Sequence, residues 1–244
     1  MIVFGEDWGR HPSSTQHIVK HMAKTQTVIW VNSLGLRRPR LSFYDFKRFF
    51  KKLYDIISGY QAPQQVVPKN IHIVSPLALP FPNSALVQWL NGVIVSHQLR
   101  NAMKKTTIEQ PDILISLPTA LSTIKVLTAN HKVYYCCDDF SALAGVDHQA
   151  IQSLENRLLN STDNLVVVSE VLKKKFAQHK PIVIPQGVDV ELFSAPTQYP
   201  KDLPAKKNII GFCGGIEEWV DLALIKKMAT TLTDHHIVLV GPIK

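Results

Sequence analysis

IVFGEDWGRHPSSTQHIVKHMAKTQTVIWV, Ile2 to Val31, reads as strand, loop, capped helix and second strand. Ile2–Phe4 and Thr27–Val31 are continuous apolar runs. Between them Ser13 and Ser14 offer hydroxyls to cap a helix carrying Ile18 and Met22. Two apolar strands that do not alternate, joined by a helix, form the crossover of a parallel sheet covered on both faces.

Outward from this unit the alternation continues. Strand-length apolar runs recur at Ile71–Val74, Ile113–Ser116, Val133–Cys136, Leu165–Val168, Ile182–Ile184, Ile209–Cys213 and Ile237–Val240, with helix-like segments between nearly all of them. Ser169 stands where it caps a helix carrying Leu172 and Phe176, and Ser42 with Asp45 is a weak capping pattern. The pattern predicts an α/β fold with a Rossmann-like parallel sheet. SAPTQYPKDLPAKK, Ser194 to Lys207, breaks it with three prolines and reads as a linker. The expected organisation is a Rossmann-like domain over 1–194, a linker over 195–206 and a βαβ unit over 207–244, its helix running from about Glu217 to Thr233. A lone βαβ unit has too little core to stand as a domain, so the chain is expected to stop inside a second domain.

The bulk numbers narrow the class. At 244 residues and 45% hydrophobic, the chain buries a core without disulfides or metals. Cys136, Cys137 and Cys213 are odd in number and each ends an apolar run, so they are expected as reduced, buried thiols. The N-terminus lacks a secretory pattern, and no apolar stretch reaches membrane-spanning length. The expectation is a soluble or peripheral protein, cytoplasmic, at the inner face of the cell membrane. A net charge of +8 favours anionic partners. Nucleic acid is disfavoured, because aromatic and basic residues are not interleaved as in single-strand binders. No zinc spacing, Walker loop or dinucleotide fingerprint occurs.

Four stretches read together resemble a family. DLPAKKNIIGFCGGIEEWVDLALIKKMA, ending in HHIVLVGP, resembles the opening of the nucleotide-sugar domain of GT-B glycosyltransferases. NLVVVSEVLKKKF followed by IVIPQGVDVELF resembles the last strands of their acceptor domain. EDWGRHPSSTQHI and VYYCCDDFSAL resemble a bacterial subgroup, of the family 4/1-like type, acting in surface-polysaccharide synthesis. Gln186 departs from the usual Asn, and GGIEEW lacks the Arg and Lys that often contact donor phosphates. The resemblance implies sugar transfer from a nucleotide-sugar donor to a lipid-linked or polysaccharide acceptor at the cytoplasmic membrane face. No cofactor or metal is implied, and the chain is expected to be truncated within the donor domain. Two alternatives share the resemblance: a non-catalytic transferase-like docking protein, and a GT-B-fold nucleotide-sugar epimerase.

Candidate sites follow from strand ends, where open α/β sheets bind ligands. The loop Gly5-Glu6-Asp7-Trp8-Gly9-Arg10-His11 offers acceptor contacts through Trp8, Gly9 and Arg10, with Asp7 or His11 as a base; the plainer alternative is a surface loop. Asp138 and Asp139 end the Val133–Cys137 run; one is expected to serve the turn and the other the cleft, in catalysis or sugar contact. Magnesium on this pair is the alternative, though no further oxygen cage is evident. Gly214 and Gly215, with Glu218 at the helix start, are expected at the donor phosphates or in a plain tight turn. Gly187 is expected to supply a positive φ.

RRPRLSFYDFKRFFKKLYDII, Arg37 to Ile57, reads as a basic amphipathic helix. Arg37, Arg38, Arg40, Lys47, Arg48 and Lys51 with Phe43, Phe46 and Phe50 are the expected contacts to an anionic membrane surface; packing on the sheet is the alternative. Leu77–Ile94 either widens that apolar surface or belongs to the core.

Overall fold

A computed structural model describes residues 1–10, 13–33, 67–77, 85–143, 147–204, 208–217 and 219–243. His11, Glu218 and the segment with Arg37, Arg38, Arg40, Phe43, Phe46, Lys47, Arg48, Phe50 and Lys51 lie outside these residues. The chain forms two compact units, Met1–Gly187 and Val188–Lys244.

Unit one is an α/β layer structure around a parallel sheet. Its strands are β1 (Ile2–Phe4), β2 (Val28–Val31), β3 (Ile71–Val74), β4 (Ile113–Ile115), β5 (Lys132–Cys136), β6 (Asn164–Val167) and β7 (Ile182–Val183). Among the described residues the order across the sheet is β3-β2-β1-β4-β5-β6-β7, all neighbours parallel. This is the Rossmann-like arrangement expected from the alternation. Its helices are α1 (Ser14–Met22), α2 (Ala85–Lys105), α3 (Leu121–Ile124), α4 (His148–Leu159) and α5 (Glu170–Lys175).

Successive strand residues face opposite sides, so each central strand feeds two cores. Ile2, Phe4, Ile29 and Val31 join Val95 and Leu99 of α2, Leu158 of α4 and Leu172 of α5 on one face. Val3, Val28 and Trp30 meet Val19 of α1 and Ala23 on the other. Ser13 caps α1 by accepting from the Gln16 N–H, and Ser169 caps α5 by accepting from the Leu172 N–H.

Two glycines are set by close approach. A Cβ on Gly5 would lie 2.3 Å from the Trp30 ring, and one on Gly92 2.5 Å from the Ser122 carbonyl oxygen. Gly5 admits the indole of the neighbouring strand; Gly92 lets α2 pack on α3. Residues 78–84 lie outside the described residues, and along α2 the rest of Leu77–Ile94 is part core and part exposed. Asn91, Gly92 and Val95 are buried, whereas Leu86, Trp89 and Val93 are 65%, 60% and 40% exposed. No helix of the described residues is long and apolar enough to cross a membrane.

Unit two contains α6 (Val190–Ser194), β8 (Asn208–Cys213), α7 (Leu222–Thr231) and β9 (His235–Val240), with β8 and β9 parallel. Three sequence expectations change here and at the boundary. The helix starts at Leu222, not near Glu217, because the Asp221 carboxylate caps it by accepting from the Leu224 N–H at 2.9 Å. Before it, Ile216 is drawn into a bridge with Ile243. Gly187 is not in the left-handed region; the positive-φ glycines among the described residues are Gly9 and Gly241. Cys136 is buried and Cys137 partly so, but Cys213 is exposed, since a two-stranded sheet covers little of its own surface.

Candidate functional site

The sheet order reverses between β1 and β4, so the loops after these strands part and leave a crevice at their carboxyl ends. A cleft of about 230 Å³ occupies this point, lined by Glu6, Ser13, Ser14, Thr15, Ser116, Leu117, Cys137, Asp138, Phe140 and Gln186. Glu6 follows β1, the three hydroxyls begin α1, Ser116 follows β4, and Cys137 and Asp138 follow β5.

The walls are fixed by local bonds. The Ser116 hydroxyl and N–H both donate to the Phe4 carbonyl oxygen, at 3.0 and 2.9 Å, locking the β4 exit to β1. The Cys137 Sγ lies 3.7 Å from the Ser14 hydroxyl and 4.0 Å from that of Thr15. Burial pushes the Cys137 thiol up from its ordinary range. Cys136 points the other way, into the core, and burial raises its thiol to about 12.

The adjacent carboxylates Asp138 and Asp139 have different surroundings. Asp139 accepts from the Ser141 hydroxyl at 2.7 Å and from the Lys175 ammonium. Burial acts to raise its carboxyl, but the bonds from Lys175 and Ser141 outweigh that and hold it below the usual range. Asp138 meets no hydrogen-bond donor among the described residues; it opens to solvent on the cleft side, and the surrounding walls desolvate its carboxyl and raise it. A carboxylate without a donor, at a strand end in a cleft, is free to accept from a ligand hydroxyl.

Behind Asp139 lies a polar network that the sequence reading missed. The Tyr134 hydroxyl donates to Glu155 Oε1 at 2.7 Å, and Lys175 Nζ stands 3.8 Å from Glu155 Oε2 and 2.8 Å from the Ser141 hydroxyl. Glu155 is 1% exposed, and burial raises its carboxyl, offset in part by the Tyr134 bond and the Lys175 charge. A signal existed: Glu155 shares helical spacing with the buried Ile151 and Leu158 of α4, a carboxylate on an apolar face.

The loop after β1 is braced rather than open. Asp7 Oδ1 accepts from the Ser33 N–H and hydroxyl at 3.2 and 3.3 Å. Trp8 stacks edge-on against Trp30, centroids 4.9 Å apart, and the Trp8 backbone N–H donates to Asn32 Oδ1 at 2.9 Å. Gly9 takes φ 77°, and the Arg10 N–H closes the turn on the Asp7 carbonyl. Thus Glu6 lines the cleft, while Asp7, Trp8, Gly9 and Arg10 are not among its lining residues. In unit two the Gly214 N–H is spent on the Val240 carbonyl at 2.9 Å, and Gly215 follows it. Among the described residues no group of three or more His, Cys, Asp or Glu could hold a metal ion.

No family model matches the chain. It is similar to the "Putative teichuronic acid biosynthesis glycosyltransferase TuaH" of Bacillus subtilis, strain 168. The two are 30% identical over 127 residues, covering 45% of this chain and 32% of that protein. The match thus spans about a third of the relative's length, and over that stretch the chain is glycosyltransferase-like.

Proposed function

We propose that this protein is a GT-B-type glycosyltransferase, moving a sugar from a nucleotide-sugar donor to a hydroxyl of a lipid-linked or polysaccharide acceptor at the cytoplasmic membrane face. The observation that carries the reading is Asp138, a carboxylate in the switch-point cleft with no donor partner among the described residues. The partial similarity to a glycosyltransferase supports the reaction class.

In this reading Asp138 accepts the proton of the attacking acceptor hydroxyl, and its raised pKa makes it a better base than an ordinary carboxylate. Ser14 and Ser116 orient the acceptor from opposite walls. Asp139 and Asp7 are positioning residues, the first holding the turn through Lys175 and the second bracing the loop through Ser33. Unit two supplies the donor contacts. Since Gly214 has spent its N–H, Gly215 is the member of the pair that offers one to the diphosphate. Stabilising charge on the departing diphosphate is the main catalytic contribution. The basic, aromatic segment from Arg37 to Lys51 is assigned the contact with anionic lipid.

Calorimetric titration with a panel of nucleoside diphosphates, followed by transfer assays on lipid-extracted acceptors, tests the reading. Saturable binding of one nucleotide is expected. Asp138→Asn should lower turnover about 10²–10⁴-fold with donor affinity unchanged. If no nucleoside diphosphate binds, the transferase reading fails.

A further inference from the structure

We infer that the switch-point cleft accepts an uncharged sugar ring and discriminates against the same ring bearing a carboxylate or phosphate. The inference rests on the transferase reading for what the ring is used for, but the selectivity follows from the walls alone.

Among the described residues, two of the lining side chains, Glu6 and Asp138, are carboxylates, and none is a lysine, arginine or histidine. The other polar groups are neutral: hydroxyls of Ser13, Ser14, Thr15 and Ser116, and the amide of Gln186. Carboxylates and an amide accept from ring hydroxyls, serine and threonine hydroxyls both give and accept, and Phe140 and Leu117 supply apolar surface for the ring's C–H face. The cleft's volume of about 230 Å³ falls below the range of about 300–1,000 Å³ for drug-sized ligands, so it suits a single ring.

One feature of the cleft favours anions, the N-terminus of α1. Its pull equals roughly half a charge. Ser13 already consumes part of that capacity, its hydroxyl accepting from the Gln16 N–H. Against it stand two carboxylates, one of them without a donor among the described residues and in surroundings that desolvate it. A ligand carboxylate would add a third negative charge where no side-chain cation among the described residues lines the wall, so repulsion outweighs the dipole. With no Arg among the described lining residues, the wall also lacks the bidentate recognition on which carboxylate and phosphate binding often relies.

The test uses the full chain and matched pairs of methyl glycosides: glucoside against glucuronoside, galactoside against galacturonoside, mannoside against mannuronoside. Binding is read by saturation-transfer NMR. At least one neutral member should bind about tenfold or more tightly than its acid partner. Asp138→Asn and Glu6→Gln should each narrow that ratio by strengthening the acid. Glu6 is on an exposed loop position, so its variant tests the charge argument even if Asp138→Asn folds poorly. Equal or tighter binding of the uronosides overturns the inference, and so does the absence of binding by every glycoside. Nucleoside diphosphate titration of the same sample separates the two readings, because nucleotide binding with no neutral preference would sink the cleft inference and leave the transferase standing.

Discussion

Lys175, from the last turn of α5, forms an ion pair with Asp139 and draws that carboxylate toward Glu155, leaving its sequence neighbour Asp138 to the cleft. Adjacent aspartates thus take separate roles because one cation, shared with a buried glutamate, claims only one of them.

Replacing Lys175 by Met should destabilise unit one by about 1–3 kcal/mol in urea, since it strips a cation from a buried carboxylate that already favours its neutral form. The pH dependence has a definite sign. Asp139 has a folded-state pKa below its unfolded value, so its contribution is present above the unfolded range near about 3.9 and is lost as pH falls through the folded value. The stability gap between wild type and Asp139→Asn should therefore shrink in acid. Asp139 is 43% exposed on its side chain, and the gap should stay below about 1 kcal/mol. A gap that grows on acidification would contradict the ion pair.

Gly5→Ala drives a methyl group into the Trp30 ring, which is fully buried and held by its N–H donating to the Glu6 carbonyl at 3.0 Å. The overpacked core should lose about 1–3 kcal/mol, measured by chemical denaturation. A loss under about 0.5 kcal/mol, typical of surface sites, would mean the indole moves freely.

The three thiols should separate in labelling with a disulfide reagent followed by mass spectrometry. Cys213, exposed, reacts first; Cys137, partly covered and raised, reacts slowly; Cys136, raised to about 12, waits for unfolding. Prompt labelling of Cys136 in native protein would show that its core position is wrong.

Ser13→Ala removes the hydroxyl that accepts from the Gln16 N–H at 3.3 Å, and should cost about 1 kcal/mol. Because Ser14 and Thr15 ride on the same helix start, glycoside affinity should fall along with stability; a drop in one alone would uncouple the cap from the cleft.

The strands were legible in the sequence because a parallel sheet buried on both faces is written as unbroken apolar runs, and Ile2–Phe4, Ile113–Ile115 and Asn164–Val167 stand where those runs predict. The capping hydroxyls of Ser13 and Ser169 were legible for the same local reason. What pairs across the fold was less so. Nothing in the spacing of Asp138, Asp139 and Lys175 says which aspartate the lysine takes, since α5 is brought there by β6 packing beside β5. Ser116 was passed over because one serine after a strand becomes informative only once β4 is known to lie against β1. The start of α7 was misread at Glu217 because acidic residues suit any first turn, and the Asp221 cap decided the matter.

The pairing of Phe4 with Ile115 carries a consequence for biogenesis. Once synthesised, Ile2–Phe4 waits for a partner encoded far downstream, and at roughly 5–20 residues per second that wait is on the order of ten seconds. Throughout it, one margin of an apolar ribbon stays unzipped, a template for wrong partners. Nascent chains stalled before Ile115 should therefore be the ones that chaperones hold longest.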